Sequence, residues 1–432
     1  MTVTAALLST SLPEALSPLT QFGGLSLLKR ALLTAQRCGA RTCYVLIDKT
    51  AQEELQGSLF NDENDTRLTA RVVWVPHFAS LAEAFVERLP AGEGHCLVFS
   101  CDTLFRPALV QMLAQNAGQQ DKAGQEGKEE RWQVHGGTNN AVLSLVPLAQ
   151  LPTLLTAWKQ GRSLQKERGG KKGKPEGLNA LSPGEHFFYR LTAQNSLAKA
   201  EKTFLFALEN PRDGLVDTYL NRKFSRLLTR FFLRTPLTPN QITVLSFLTG
   251  LIGASCFLLG SYAWAVAGAL LLQFSTVMDC VDGEVARVKM LESPFGARLD
   301  ISLDTVVHIA IFLGVGVAVW KQDGLAAAPL LGGMLAAAAC ISFPLITIAE
   351  KTEEQGRQRA GWADVWLDNM VAGVTSRDYS LLVLLCAIAG KLAWFLWAAA
   401  IGAQVFWLTL VLLLYQADRL RKSVLFASPP EG

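Results

Sequence analysis

Apolar positions along this chain follow two rhythms. Up to about Pro239 they come in short runs broken by charge and glycine; beyond it they fuse into stretches of roughly 17–25 residues, enough to cross a bilayer. In the first part, Leu25, Leu28, Ala31, Leu32 and Ala35 recur at helical spacing. They predict a helix inside "FGGLSLLKRALLTAQRCGARTCYVLIDKT" that stops at Gly39 and leads into a buried strand, "TCYVLI". "ARVVWVP" and "HCLVFSCD" predict further strands, with "SLAEAFVERL" helical between them. Strands alternating with helices point to an α/β unit with a mostly parallel sheet. "GQQDKAGQEGKEER" and "QKERGGKKGKPEG" read as solvated loops.

The rhythm changes at residues 213–236. Val216, Leu220, Phe224, Leu227, Leu228 and Phe231 fall on one helical face, while Arg222, Lys223, Arg226, Arg230 and Arg234 supply positive charge. This predicts a basic amphipathic helix lying in the membrane interface, after which Pro236 and Pro239 turn the chain into the bilayer. Six spans are expected near 240–260, 262–286, 300–320, 325–349, 379–398 and 401–420. Lys391 falls inside the fifth, and Trp394, Trp397 and Trp407 suit an interfacial aromatic belt. Basic residues before the first span, after the second and fourth, and beyond the sixth place both termini in the cytoplasm by the positive-inside rule. The expected division is a cytoplasmic α/β domain over 1–205, a juxtamembrane amphipathic helix over 206–236 and an all-α six-helix transmembrane bundle over 237–432.

Composition refines this only modestly. A length of 432 residues allows two or three domains, and the start, "MTVTAALLSTSLPEALSPL", lacks a basic leader, so the first half is expected to stay in the cytoplasm. The eight cysteines show no CxxC pair or zinc spacing and read as reduced thiols. No nucleic-acid partner is expected.

Candidate chemistry concentrates in "MDCVDGEVARVKMLESPFGARLDISLDTV", Met278 to Val306, which sets four aspartates between apolar segments. Ionised groups at membrane depth are costly and mark function. Asp279 and Asp282 are three apart and share a helix face; Asp300 and Asp304 are four apart on the next helix, with Gly296 allowing a short turn between. Two carboxylates about 4 Å apart repel by roughly 4 kcal/mol at an effective dielectric near 20. Arg287 and Arg298 cannot neutralise four such charges. Divalent metal can, and an all-oxygen set favours Mg²⁺, with Mn²⁺ and Ca²⁺ as alternatives.

The spacing D-x2-D-G-x2-A-R-x8-G-x3-D-x3-D over Asp279 to Asp304 resembles the signature of the CDP-alcohol phosphotransferase family, and the resemblance extends over about 213–432. It implies a metal-dependent membrane enzyme that transfers a substituted phosphate from a CDP-alcohol to an acceptor hydroxyl, releasing CMP. By resemblance, Asp279, Asp282 and Asp300 are metal ligands, while Asp304 is a ligand of a second metal and the base. Gly283 then permits close approach of the nucleotide, Arg287 contacts the diphosphate, and Ser293, Asn240 and Thr243 contact the nucleotide. Helix capping is the plainer reading of Ser293, Asn240 and Thr243. A homodimer in the cell (inner) membrane, in contact with lipid, is implied as well. His308, one turn beyond Asp304, either touches the acceptor or packs in the bundle. Arg357, Arg359 and Arg377 either bind a phosphorylated acceptor or are flanking charge.

The first half resembles part of a sugar-phosphate nucleotidyltransferase in "GGLSLLKRALLTAQRCGA" and in "VFSCDTLF", which puts Asp102 at the metal-binding aspartate. Its opening, "ALLSTSLPEALSPL", lacks the glycine-rich basic loop that cradles a triphosphate, so a degenerate domain is expected. The alternative is a bifunctional enzyme that also makes the CDP-alcohol from CTP, as some relatives of this arrangement do. An ion-coupled transporter is the alternative of a different class.

Overall fold

The structure, a computed structural model, describes residues 3–10, 12, 16–47, 52–60, 67–76, 94–122, 131–136, 141–148, 151, 178–181, 187–191, 196–208, 217–354 and 379–427. The chain divides into two compact units, Met1–Ala207 and Leu208–Gly432. The expected helix "SLAEAFVERL", the loop "QKERGGKKGKPEG" and the arginines Arg357, Arg359 and Arg377 lie outside the described residues.

In the first unit the strands β1 (Val3–Ser9), β4 (Thr42–Ile47), β5 (Arg71–Pro76), β6 (His95–Ser100), β8 (Arg131–Gly136), β9 (Ala141–Pro147) and β10 (Leu178–Leu181) form one sheet. Its order is β10-β8-β9-β6-β1-β4-β5. β5, β4, β1 and β6 run parallel, and β9 runs antiparallel to both β6 and β8. The interior strand β1, between β6 and β4, is the opening apolar run of the chain. Ala5 to Leu8 are buried on both faces, so this strand shows no polar alternation to announce it.

Two short antiparallel pairs are separate from this sheet, the hairpin β2 (Gln21–Phe22) with β3 (Leu25–Ser26), and β7 (Thr103–Phe105) with the distant β11 (Phe188–Arg190). Helix α1 (Leu27–Arg37) starts two residues later than the spacing suggests. Leu25 belongs to β3, and the Ser26 side chain caps the helix by accepting from the Lys29 amide. Gly39, at φ +105°, follows its end as expected. Among the described residues the other helices of this unit are α2 (Gln52–Phe60), α3 (Pro107–Lys122) and α4 (Ser196–Phe206). α3 runs to Lys122 and so takes up the start of the segment read as a loop. All eight cysteines are free thiols, and burial pushes Cys38 and Cys43 up to about 12, which keeps both protonated at neutral pH.

The second unit is helical. A single π turn, Asp217–Asn221, leads into α5 (Arg222–Leu233). There follow α6 (Pro239–Leu258), α7 (Tyr262–Lys289), α8 (Pro294–Asp323), α9 (Ala328–Glu354), α10 (Tyr379–Ile388) and α11 (Leu392–Ala427). Five of these are long and apolar enough to cross a membrane; α10, described from Tyr379, is a shorter apolar helix. The break expected near residue 400 falls instead at Gly390. Its φ of +63° and the bonds Gly390 N–H to Ala387 O and Lys391 N–H to Cys386 O close α10 with a left-handed C-cap. Lys391 therefore sits exposed in a turn rather than inside a span. Trp394 is among the exposed large side chains at the start of α11, and Trp407 donates to Gln404 Oε1.

α5 is amphipathic, and its apolar face stands outward, as the expected interfacial helix requires. The apolar side chains Phe224, Leu227 and Phe231 are 55%, 66% and 63% exposed, the arrangement a lipid interface would cover. The polar side chains Arg222, Ser225 and Thr229 are the buried ones, packed on α7. Arg222 is thus an internal partner rather than one of the interfacial charges.

α6 opens with a capping box in which Thr238 accepts from the Gln241 amide and the Gln241 side chain accepts from the Thr238 amide. α6 and α7 cross closely through Gly253 and Gly268; a Cβ on Gly268 would lie 2.7 Å from the Gly253 carbonyl oxygen. The turn from α7 to α8 is made by Met290 at φ +54°. Gly296 does not make that turn. It lies in the first turn of α8, where a Cβ would press to 2.9 Å on Asn240 Oδ1.

Candidate functional site

The end of α7 and the start of α8 bring the acids together. Asp279 and Asp282 are each 5% exposed, and Asp300 is half-buried on α8. One carboxylate oxygen from each of these three lies within 4.8 Å of the others. Oδ1 of Asp300 is buried and accepts no hydrogen bond. Three carboxylate groups converging at this depth suit a hard divalent cation. Asp304, half-buried one turn further along α8, is outside this trio.

The other expected residues gather at the same end of the bundle. The Thr243 hydroxyl lies 2.6 Å from Asp282 Oδ2 and 3.1 Å from the Pro239 carbonyl. Its single proton goes to the nearer, charged acceptor. Thr243 therefore orients Asp282 and is not a helix cap. Ser293 is a cap: it opens α8, and its hydroxyl accepts from the Gly296 amide at 3.0 Å. Asn240 Oδ1 and Ser293 Oγ both line the space above Gly296, where a Cβ would sit 2.9 Å and 3.1 Å from them. Gly283 leaves comparable room beside Arg287, whose guanidinium nitrogens would lie 3.2 and 3.3 Å from an added Cβ. His308 packs against aromatic rings, 5.3 Å from Tyr379 and 6.3 Å from Phe312 between centroids.

Sequence reasoning passes over Glu284 and Lys289. Glu284, 1% exposed, accepts from Arg222 Nη1 at 3.0 Å, Ser225 Oγ at 2.7 Å and Thr229 Oγ1 at 2.6 Å. Breaking such a buried pair from one side typically costs about 3–5 kcal/mol. Lys289 donates to the carbonyls of Thr235 and Leu237 at 2.8 and 3.1 Å, just past the end of α5. The available signal was the polar spacing Arg222, Ser225, Thr229 along α5 facing a fifth acid on α7.

In the first unit Asp102 is fully buried. Arg190 Nε donates to its Oδ2 at 2.9 Å, and the Thr103 hydroxyl to its Oδ1 at 3.2 Å. Its backbone carbonyl accepts from the Leu191 amide, which joins β11 to β7. Both carboxylate oxygens are thus engaged by the protein itself.

Residues 236–415 match the family model described as CDP-alcohol phosphatidyltransferase. A relative from Aquifex aeolicus named "Bifunctional IPC transferase and DIPP synthase" is 36% identical over 126 residues, 29% of this chain and 28% of that protein. A "Phosphatidylinositol phosphate synthase" from Mycolicibacterium smegmatis is 34% identical over 104 residues, 24% of this chain and 45% of that protein. The matched stretch thus spans less than half the length of either relative. Among solved structures, the phosphatidylinositol phosphate synthase of Mycobacterium tuberculosis with CDP-DAG bound aligns over 45% of this chain and 94% of its own, at 21% identity and a TM-score of 0.32. The inositol-1-phosphate CTP transferase from T. maritima aligns over 49% of this chain and 98% of its own, at 12% identity and a TM-score of 0.30.

Proposed function

We propose, for a multi-pass membrane protein whose residues 236–415 form a CDP-alcohol phosphatidyltransferase domain, that the chain is a metal-dependent CDP-alcohol phosphotransferase. The observation that carries this reading is the trio of carboxylate oxygens from Asp279, Asp282 and Asp300 within 4.8 Å, with Asp304 one turn beyond. Asp279, Asp282 and Asp300 would hold one divalent cation and Asp304 would help hold a second, Mg²⁺ being the first candidate. When bound, such ions draw charge from a diphosphate.

The chain's own residues do the rest. Gly283 leaves room for the diphosphate and Arg287 faces it. Asn240 and Ser293 border the nucleotide, and Thr243 acts through Asp282. Asp304 takes the proton from the acceptor hydroxyl, and that oxygen bonds to the β-phosphorus. The bond from this phosphorus to the bridging oxygen breaks, CMP leaves with the electron pair, and a phosphodiester results. Because one group of relatives is named for making phosphatidylinositol phosphate, an inositol phosphate is the first acceptor to test, against glycerol phosphate and lipid alcohols.

Purified protein is expected to release CMP from a CDP-alcohol only when divalent metal is present and an acceptor hydroxyl is supplied. Release that continues in EDTA, or none with any CDP-alcohol and acceptor pair, would reject the reading. We further place the protein as a homodimer in the cell (inner) membrane with both termini cytoplasmic. Crosslinking in native membranes and labelling of a cysteine added at each terminus, before and after permeabilisation, check these points.

For the first unit we propose a degenerate nucleotidyltransferase domain. Arg190 occupies the carboxylate that a metal would need. The expected outcome is no pyrophosphate release from CTP with any phosphorylated alcohol. CTP-dependent release that vanishes in Asp102→Ala would restore the bifunctional reading suggested by the names of some relatives.

A further inference from the structure

We propose that Glu284 is a positioning residue for the phosphotransfer site: by gripping α5, it fixes the turn of α7 that carries Asp282, Gly283 and Arg287. This rests on the metal-site reading above. Residues two apart on an α-helix point about 200° apart. Asp282 and Glu284 therefore leave α7 on opposite sides, and each is tied to a different helix.

Thr243 of α6 holds Asp282 at 2.6 Å. Arg222, Ser225 and Thr229 of α5 hold Glu284 at 3.0, 2.7 and 2.6 Å. Rotating this turn either way stretches one set of bonds. Sliding along the axis is opposed at both ends of α5. Lys289 binds the carbonyls beyond its last turn, and Gln273 Nε2 donates to Asn221 Oδ1 at 2.6 Å before its first.

The grip also explains why a fifth acid can sit beside the cluster without adding to its repulsion. The charge of Glu284 is matched by Arg222 on the side away from Asp282. Three carboxylate oxygens that must stand within 4.8 Å of one another repel when no cation is bound. The helix turn carrying them must be fixed from elsewhere, and groups that orient metal ligands typically alter metal affinity by about 10- to 100-fold when removed.

The test is a Mn²⁺ titration of the full chain in detergent, read by electron paramagnetic resonance, with thermal unfolding in EDTA and CMP release measured on the same samples. Glu284→Gln should weaken Mn²⁺ binding by about tenfold or more. Thr229→Val keeps both charges, removes one bond, and should weaken Mn²⁺ binding roughly threefold. Its CMP release should recover at saturating Mn²⁺. Ser255→Ala, on the exposed side of α6, should change neither. A lower unfolding midpoint with unchanged Mn²⁺ affinity in both Glu284→Gln and Thr229→Val would make the contact merely structural and overturn the proposal. If Glu284→Gln fails to fold, Thr229→Val decides by the same criterion. Wild-type protein that binds Mn²⁺ yet releases no CMP would reject the phosphotransferase reading, while the Mn²⁺ comparison would still judge Glu284. Wild-type protein that binds no Mn²⁺ would overturn both.

Discussion

Asp282→Asn is expected to abolish CMP release while leaving the protein folded, and in EDTA to unfold at a temperature equal to or above that of the wild type. The two halves of this expectation share one cause. Asp282, Asp279 and Asp300 bring three carboxylate oxygens within 4.8 Å. At about 4 Å and an effective dielectric near 20, each pair of unit charges repels by roughly 4 kcal/mol, and a divalent cation attracts each by roughly twice that. Removing one charge relieves the empty cluster and weakens the occupied one. If only about 3 kcal/mol of that attraction is realised, affinity for the cation still falls more than a hundredfold. Asparagine keeps the shape, and its carbonyl oxygen can still accept from Thr243, which now donates at 2.6 Å, so packing between α6 and α7 survives. Near-normal turnover in this variant would mean that Asp282 holds no essential cation. A large drop in the EDTA midpoint would mean that the carboxylate is chiefly structural.

The acid site was legible because its information is local. Spacings of three and four on two adjacent helices put Asp279 with Asp282 and Asp300 with Asp304, whatever the rest of the chain does. The spans were legible for the same reason, since a long apolar run can hide its backbone polar groups only as a helix. What escaped depends on distant partners. Glu284 binds residues 55 to 62 positions away, and Asp102 meets Arg190 88 positions away. The spacing of Arg222, Ser225 and Thr229 marks a polar stripe on α5 but not the acid it meets, and nothing local pairs Asp102 with Arg190. The apolar face of α5 stands outward as an interfacial helix requires; what escaped is that Arg222, read as an interfacial charge, packs inward on Glu284. β1 escaped because an interior parallel strand is covered on both sides, so Ala5 to Leu8 read only as a short apolar run. The break at Gly390 was misplaced because one left-handed residue ends a helix while the apolar composition continues past it.

The second large effect is expected at Asp304, and it separates binding from chemistry. Asp304 stands one turn beyond Asp300 and outside the trio of converging oxygens. In Asp304→Asn, Asp279, Asp282 and Asp300 are untouched and would still hold the proposed cation, so affinity for the CDP-alcohol should fall only a few-fold. The amide cannot take the acceptor's proton. A positioned base contributes typically about 10²- to 10⁴-fold, and a weakened second cation adds to the loss. Nucleotide affinity and single-turnover rate measured on this one variant therefore decide its role, because a loss confined to the rate marks an interaction made in the transition state. Equal losses in both would make Asp304 a metal-holding residue. The proton would then need another acceptor on the same face of α8. The only imidazole one turn further along is His308, which already packs against Tyr379 and Phe312. His308→Ala would have to show the rate loss that Asp304→Asn did not, with nucleotide affinity intact, for the proton to be assigned there.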